Sequence, residues 1–354
     1  MIWLIPCGLI GLSLRGGYSD YYGVSSSQVI RDLDIVHIGN EIAIVNSKFI
    51  SIMGGAVYFE TNNPVALLVE ECLFSNCSSI TAGALIYKCL YGAHVMSRVC
   101  AHSCYTETSG SNQFSYVQVG NNKENYMNLS TITQCAPSHL TNRNWGQGFV
   151  NGRQIISFSN SSYNYGVIGA GLYIETSNSI DFRFCTLADC QATSHIIIQR
   201  TGTTTNCNFS YCNFIRNSTP NYVLHFANHA NVYDCFFMQN SIILFYVYGT
   251  NVYVNLIRGW LFHSYSLLTI TANYRGYLSY NNITNTNVAT PSHNIAHLST
   301  QQCYIEIDQQ FIVHPSPTEC FLSSNDPGVL LSKIFSLNVI NNLVSFSVFL
   351  SATL

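Results

Sequence analysis

A six-residue phrase recurs along the chain and constrains its fold more than any other feature. It reads Cys212-Asn-Phe-Ile-Arg-Asn217 and returns as Cys235-Phe-Phe-Met-Gln-Asn240; earlier forms are Cys72-Leu-Phe-Ser-Asn-Cys77 and Cys185-Thr-Leu-Ala-Asp-Cys190. The shared pattern is Cys, any residue, Phe or Leu, two residues, then Cys or Asn. Between the copies run short β-rich stretches broken by turns, with a period of about 22 to 31 residues, the length of a solenoid coil. No stretch keeps a 3.6-residue apolar repeat, so few helices are expected. The pattern predicts an all-β chain: a single-stranded right-handed parallel β-helix of about eleven coils, on the order of 50 Å long at ~4.8 Å per rung.

Strand alternation puts Cys212 and Phe214 on one face and Asn213 on the other. The repeat core is then Cys72, Phe74, Cys77, Cys185, Leu187, Cys190, Cys212, Phe214, Asn217, Cys235, Phe237 and Asn240, with Cys on Cys and Phe on Phe stacked coil on coil. Asn217 and Asn240 complete the phrase and read as the turn after the strand. One distant echo is close: Ala56-Val-Tyr-Phe-Glu-Thr-Asn-Asn63 matches Gly171-Leu-Tyr-Ile-Glu-Thr-Ser-Asn178, as duplicated coils would.

The β-helix is expected over residues 28–310. Residues 1–17 read as a signal peptide or an N-terminal cap: the stretch is apolar but lacks the leading Lys or Arg of a standard signal. Residues 311–354 read as a cap or terminal strands, from the alternation in Val344-Ser-Phe-Ser-Val348. Asn338, Asn341 and Asn342 interrupt that tail, and a membrane helix needs about 18 nearly unbroken apolar residues, so membrane association stays open. Two polar loops, at 121–125 and 141–148, are read as extrusions from regular coils.

Charged residues are only 9% of the chain, against about a quarter in ordinary globular proteins. With net charge −3 and no basic run, a nucleic-acid partner is excluded. The 14 cysteines point to an oxidising compartment. Candidate glycosylation sequons begin at Asn76, Asn128, Asn160, Asn208, Asn217 and Asn282, although an Asn- and Ser-rich chain also produces sequons by chance. The expected location is extracellular or at the cell surface.

Gly54-Gly55-Ala56-Val57, followed one strand on by phrases such as Phe214-Ile-Arg-Asn217 and Phe237-Met-Gln-Asn240, resembles the repeats of polymorphic outer-membrane proteins. Similar right-handed β-helix proteins form surface families in parasitic protists. The resemblance implies adhesion or display, with glycans or host and cell-surface proteins as partners.

The same fold also carries polysaccharide lyases and hydrolases. A calcium-dependent lyase needs several carboxylates on neighbouring coils and a basic residue; Asp181 and Asp234 with Arg183 are the weak candidates here. Asp189, Glu70, Glu71 and Glu175 complete the strand carboxylates, and none forms the Asp-Asp pair with Gly-His-Gly and Arg-X-Lys of the galacturonan hydrolases. Cys100-X-His102-X-Cys104 comes nearest to a zinc pattern but has no second pair at a set distance, so no metal and no cofactor is expected. The cysteines read instead as a buried ladder, mostly thiol or partly bridged. His195, His225 and His263 fall near one strand of successive coils, as a ligand column or as ordinary strand positions. Tyr246, Tyr248, Tyr253, Tyr274 and Tyr280 offer a sugar- or protein-binding face. The expected function is non-catalytic recognition or structural display. The alternatives are a polysaccharide-processing enzyme and a degenerate family copy without activity.

Overall fold

The computed structural model describes residues 41–262 with short internal breaks, together with the strands Gln28–Ile30, Thr271–Asn273, Tyr277–Asn281, Thr284–Thr286, Tyr304–Ile305 and Ile312–Val313. The expectations for residues 1–17, for the tail beyond Val313, and for His263, Tyr274 and Asn282 lie outside the described residues, as does the side chain of Tyr280.

The described residues form strands and no α-helix, and so no helix long and apolar enough to cross a membrane. The strands wind into a parallel β-solenoid with three sheets. The first holds 11 strands, the second 10 and the third 9. Within these sheets each strand pairs in parallel with the equivalent strand of the next coil, as Asn213–Ile215 does with Phe236–Met238, whereas Tyr304–Ile305 pairs antiparallel with Ile312–Val313. Parallel pairing follows from winding, because every coil returns to its starting side running in the same direction. In the third sheet, residues paired in register on neighbouring coils lie from 21 positions apart (His225 and Tyr246) to 33 (Asn112 and Trp145). The third sheet, with 9 strands, makes the number of complete coils slightly lower than the eleven expected.

The phrase builds the second sheet and its two corners. Its strand is only three residues long, Asn213–Ile215 in the clearest copy. Tyr211 before it and Arg216 after it both have positive φ, 55° and 49°. The same pair of corners recurs as Phe184 and Asp189, and as Asp234 and Gln239. Such residues bend the chain sharply and throw the next side chain inward. Cys212 and Asn217 are therefore both inside, fully buried. Asn217 and Asn240 are thus core residues, and the turn belongs to Arg216 and Gln239.

The exchange of Cys for Asn at the end of the phrase has a physical basis. In successive coils that place is taken by Cys77, Cys104, Cys135, Asn164, Cys190, Asn217 and Asn240. Cys77 Sγ donates to the Phe49 carbonyl at 3.3 Å and Cys190 Sγ to that of Ser161 at 3.4 Å. Asn217 Nδ2 donates to Leu187 O at 2.9 Å and Asn240 Nδ2 to Phe214 O at 2.7 Å. In these four coils the acceptor is the central residue of the preceding second-sheet strand, whereas Cys104 and Cys135 donate to His102 O (3.6 Å) and Thr133 O (3.5 Å), two residues back. Thiol and amide are interchangeable because each aims a donor at the same buried carbonyl. Asn adds an acceptor: Asn217 Oδ1 takes Cys190 N–H, and Asn240 Oδ1 takes Asn217 N–H.

Between the corners, the central residues fill the core. Phe214 stacks on Phe237 with centroids 4.9 Å apart, and Phe49 on Phe74 at 4.8 Å. Ten of the cysteines are buried free thiols; Cys100 is disulfide-bonded. Burial pushes Cys72 and Cys190 up to about 12, which keeps these thiols protonated and unreactive. One stretch of the interior is polar. His94, Asn125 and Gln154 occupy one column of the first sheet and are fully buried, joined by His94 Nδ1 to Asn125 Oδ1 (2.8 Å) and Asn125 Nδ2 to Gln154 Oε1 (2.7 Å).

Candidate functional site

The outer side of the third sheet carries an aromatic strip. In Val57–Thr61 the alternation sends Val57 and Phe59 inward and Tyr58 and Glu60 out. The column begun by Tyr58 continues through Ile86, Tyr116, Gly148, Tyr173, Ile198 and His225 to Tyr246. The sequence echo thus lands in one column, four coils apart. Each copy makes the same local bond, from Tyr58 to Glu60 at 2.5 Å and from Tyr173 to Glu175. That bond raises the Tyr58 phenol above its ordinary value and, with Lys88 at 3.3 Å, holds Glu60 below the usual carboxylate range. Trp145 stacks on Tyr173 with centroids 4.0 Å apart. Gly148 interrupts the column because Asn112 lies over it: a Cβ there would come within 2.2 Å of Asn112 Oδ1.

Farther along, the strip opens into a cleft of about 700 Å³ lined by His195, Asn221, Tyr222, His225, Ala227, Tyr246 and Tyr248. Tyr222 stacks on Tyr246 (4.4 Å) and on His195 (5.6 Å). His225 sits 4.7 Å from both His195 and Tyr246, and meets Tyr248 edge-on at 6.1 Å. His195 Nδ1 shares a hydrogen bond with Ser194 Oγ at 2.6 Å. Among the described residues the lining has no charged side chain.

The sequence candidates are distributed differently. His195 pairs in register with Tyr222, and His225 with Ile198, so the two histidines stand in columns three residues apart along the strand, and their rings meet at 4.7 Å. Tyr246 and Tyr248 line the cleft, whereas Tyr253 belongs to the first sheet and stacks there on Tyr277. Asp181 and Asp234 do not stack. Asp181 has Ile155 and Asn208 as column neighbours and lies 3.8 Å from Arg183. Asp234 takes a corner two coils on, where Arg258 grips it through Nε (2.8 Å) and Nη2 (2.7 Å). Asp189 is forked by Arg216 at 2.7 Å, and Arg98 joins Glu70 and Glu71. Each strand carboxylate raised as a candidate is therefore already held by arginine or, for Glu175, by tyrosine. Among the described residues no three His, Cys, Asp or Glu side chains gather as a metal-binding group.

The sequons also separate by position. Asn160 and Asn217 are buried, and a glycan on either is incompatible with the fold. Asn76 is an exposed corner residue with φ 53°, and Asn128 and Asn208 are half-buried. Sequence reasoning missed Tyr58, Tyr116, Trp145, Tyr173 and Tyr222; the Tyr-X-Glu echo was the signal that pointed to two of them. Compared with family models, with curated proteins and with solved structures, the chain matches none. Its class is the one its own geometry defines: a parallel β-solenoid with an aromatic outer face on one sheet.

Proposed function

We propose that the chain is a secreted or surface-displayed β-helix of the polymorphic outer-membrane protein-like repeat type. It works by recognition or structural display, adhering to host or glycan surfaces, without catalysis. The observation that carries this reading is the cleft of the third sheet, a concave site lined, among the described residues, by tyrosine, histidine, asparagine and one alanine, with no charged side chain. General acid–base or lyase chemistry on a polysaccharide needs a carboxylate or base free to act on the substrate. The carboxylates of this chain that were candidates for that role are engaged elsewhere on the rod. Aromatic surfaces with neutral hydrogen-bonding groups suit recognition.

The test has two arms. Intact producing cells are treated with an impermeant labelling reagent, and purified protein is titrated onto host cells. Label on the protein and saturable binding are expected. A protein that stays unlabelled and binds no cells sinks the reading. Turnover of acidic or neutral polysaccharides, lost in Asp181→Ala or Asp234→Ala, would instead establish the enzyme.

A further inference from the structure

From the register of the second sheet we infer that two columns of stacked cysteines are oxidation sites, each taking one disulfide between neighbouring coils, always through its middle member. One column is Cys77, Cys104 and Cys135; the other is Cys185, Cys212 and Cys235. Three observations carry it. The first is alignment. Thr186, Asn213 and Phe236 pair in register, which puts the residues just before them, Cys185, Cys212 and Cys235, on consecutive coils of one column. Ser78 pairs with Tyr105 and His102 with Thr133, which does the same for Cys77, Cys104 and Cys135. All six are buried, and all six are free thiols.

The second observation is contact. Cys212 N–H donates to Cys235 Sγ at 3.4 Å. Burial first, and then the Cys185 and Cys235 thiols beside it, hold the Cys212 thiol well above its ordinary value. Cys104 is raised by burial and then by Cys135, and Cys77 by its hydrogen bond with Cys104 and then by burial. The third is spacing. Successive rungs lie ~4.8 Å apart, inside the Cα range of a disulfide, whereas two rungs, ~10 Å, exceed its limit of about 7 Å. Cys185 therefore cannot reach Cys235, nor Cys77 reach Cys135, and three thiols give one bridge and one leftover. Two other buried thiols lack cysteine neighbours: Cys72 stands between Ser47 and Val99, and Cys190 between Asn164 and Asn217. The co-reactant is a small disulfide of the glutathione class. One protein S–S bond forms, the small S–S bond breaks, and the two electrons and two protons leave with two small thiols. Raised thiol pKa values keep this slow in the closed fold, so the bond is made while coils open and reclose. The leftover Cys235 thiolate can then attack Cys212 sulfur and release Cys185 thiolate, moving the bridge by one rung.

The experiment holds the full chain in oxidised glutathione at a urea concentration just below its unfolding midpoint, returns it to buffer, alkylates the remaining thiols and maps the bridges by mass spectrometry. Two bridges are expected in these columns, one containing Cys104 and one containing Cys212, with Cys72 and Cys190 alkylated. The melting temperature should rise by a few degrees and fall back on adding dithiothreitol. Cys212→Ala should leave only the bridge through Cys104. Cys185→Ala and Cys235→Ala, which keep the middle thiol, should each retain a bridge from Cys212 to the neighbour that remains, and they decide the point if Cys212→Ala does not fold. A Cys185–Cys235 or Cys77–Cys135 bridge overturns the inference. So do a bridge from either column to Cys72 or Cys190, a bridge between Cys185 and Cys235 in folded Cys212→Ala, and the absence of any bridge in either column after oxidation.

Discussion

Asn217 is where four backbone and side-chain groups of three coils meet. Its side chain accepts from Cys190 N–H and donates to the Leu187 carbonyl, and its own N–H and amide both reach Asn240 Oδ1. Asn217→Ala leaves a buried N–H and a buried carbonyl without partners, which costs about 2–4 kcal/mol. Asn217→Cys restores a donor toward the same carbonyl and should recover part of that loss, as read from urea unfolding midpoints. Equal damage from both variants contradicts the shared-acceptor account. His94 makes a second prediction. Burial lowers it to about 4, and Asn125 holds its Nδ1 proton. The unfolded chain has an ordinary histidine near 6.5, so between pH 6.5 and 4 the unfolded state binds more protons. Stability from this group is complete above pH 6.5, falls as pH drops and levels off below 4, by about 3 kcal/mol in all. His94→Gln should flatten that part of the stability curve relative to wild type. At this scale the sequence was half readable. Period-two alternation located Cys212 and Phe214 inside. It could not locate Asn217, because asparagine is also the ordinary turn residue and only its acceptor on the neighbouring coil separates the two roles.

The element that repeats is a three-residue strand between two left-handed corners. Left-handed backbone ordinarily favours glycine or asparagine, yet the corners here include Tyr211, Arg216, Phe184 and Asp189. Side chains on adjacent coils support them. Phe158, Phe184 and Tyr211 stack in turn at 4.9 and 5.0 Å, and Asp234 with Arg258 and Asp189 with Arg216 form bidentate pairs. Those pairs are partly exposed, so their value lies more in holding the corner's geometry than in charge attraction. Gln239 has the corner conformation, φ 51°, and is exposed. Gln239→Asn should raise stability by up to about 1 kcal/mol, since asparagine tolerates this region, and Gln239→Val should lower it. Paired melting curves check both signs. The corners were invisible in the sequence for a physical reason. What stabilises Phe184 at positive φ is a ring one coil away, and no local signature records that.

Across the whole molecule, each coil touches chiefly its two neighbours, and stability is a sum of coils and of interfaces between them. Phe214→Ala removes a ring stacked on Phe237 and opens a cavity costing about 3–5 kcal/mol. Hydrogen exchange should show lost protection concentrated in Thr186–Ala188, Asn213–Ile215 and Phe236–Met238, with little change at Val57–Thr61. Uniform loss along the rod would show one cooperative unit instead. The solenoid could be read from the repeat because the phrase returns in enough coils to show the period. The cleft could not, since the meeting of His195 with His225 depends on the register that sets His195 beside Tyr222. The winding also has a mechanical consequence. Every hydrogen bond between coils runs along the rod, so tension on the chain breaks them in succession from an end rather than shearing them all together. A coil of 21 to 33 residues pays out slack on the order of 70 to 110 Å. A molecule loaded through its chain ends would lengthen like thread leaving a spool, absorbing a pull in steps while the coils still wound keep their shape.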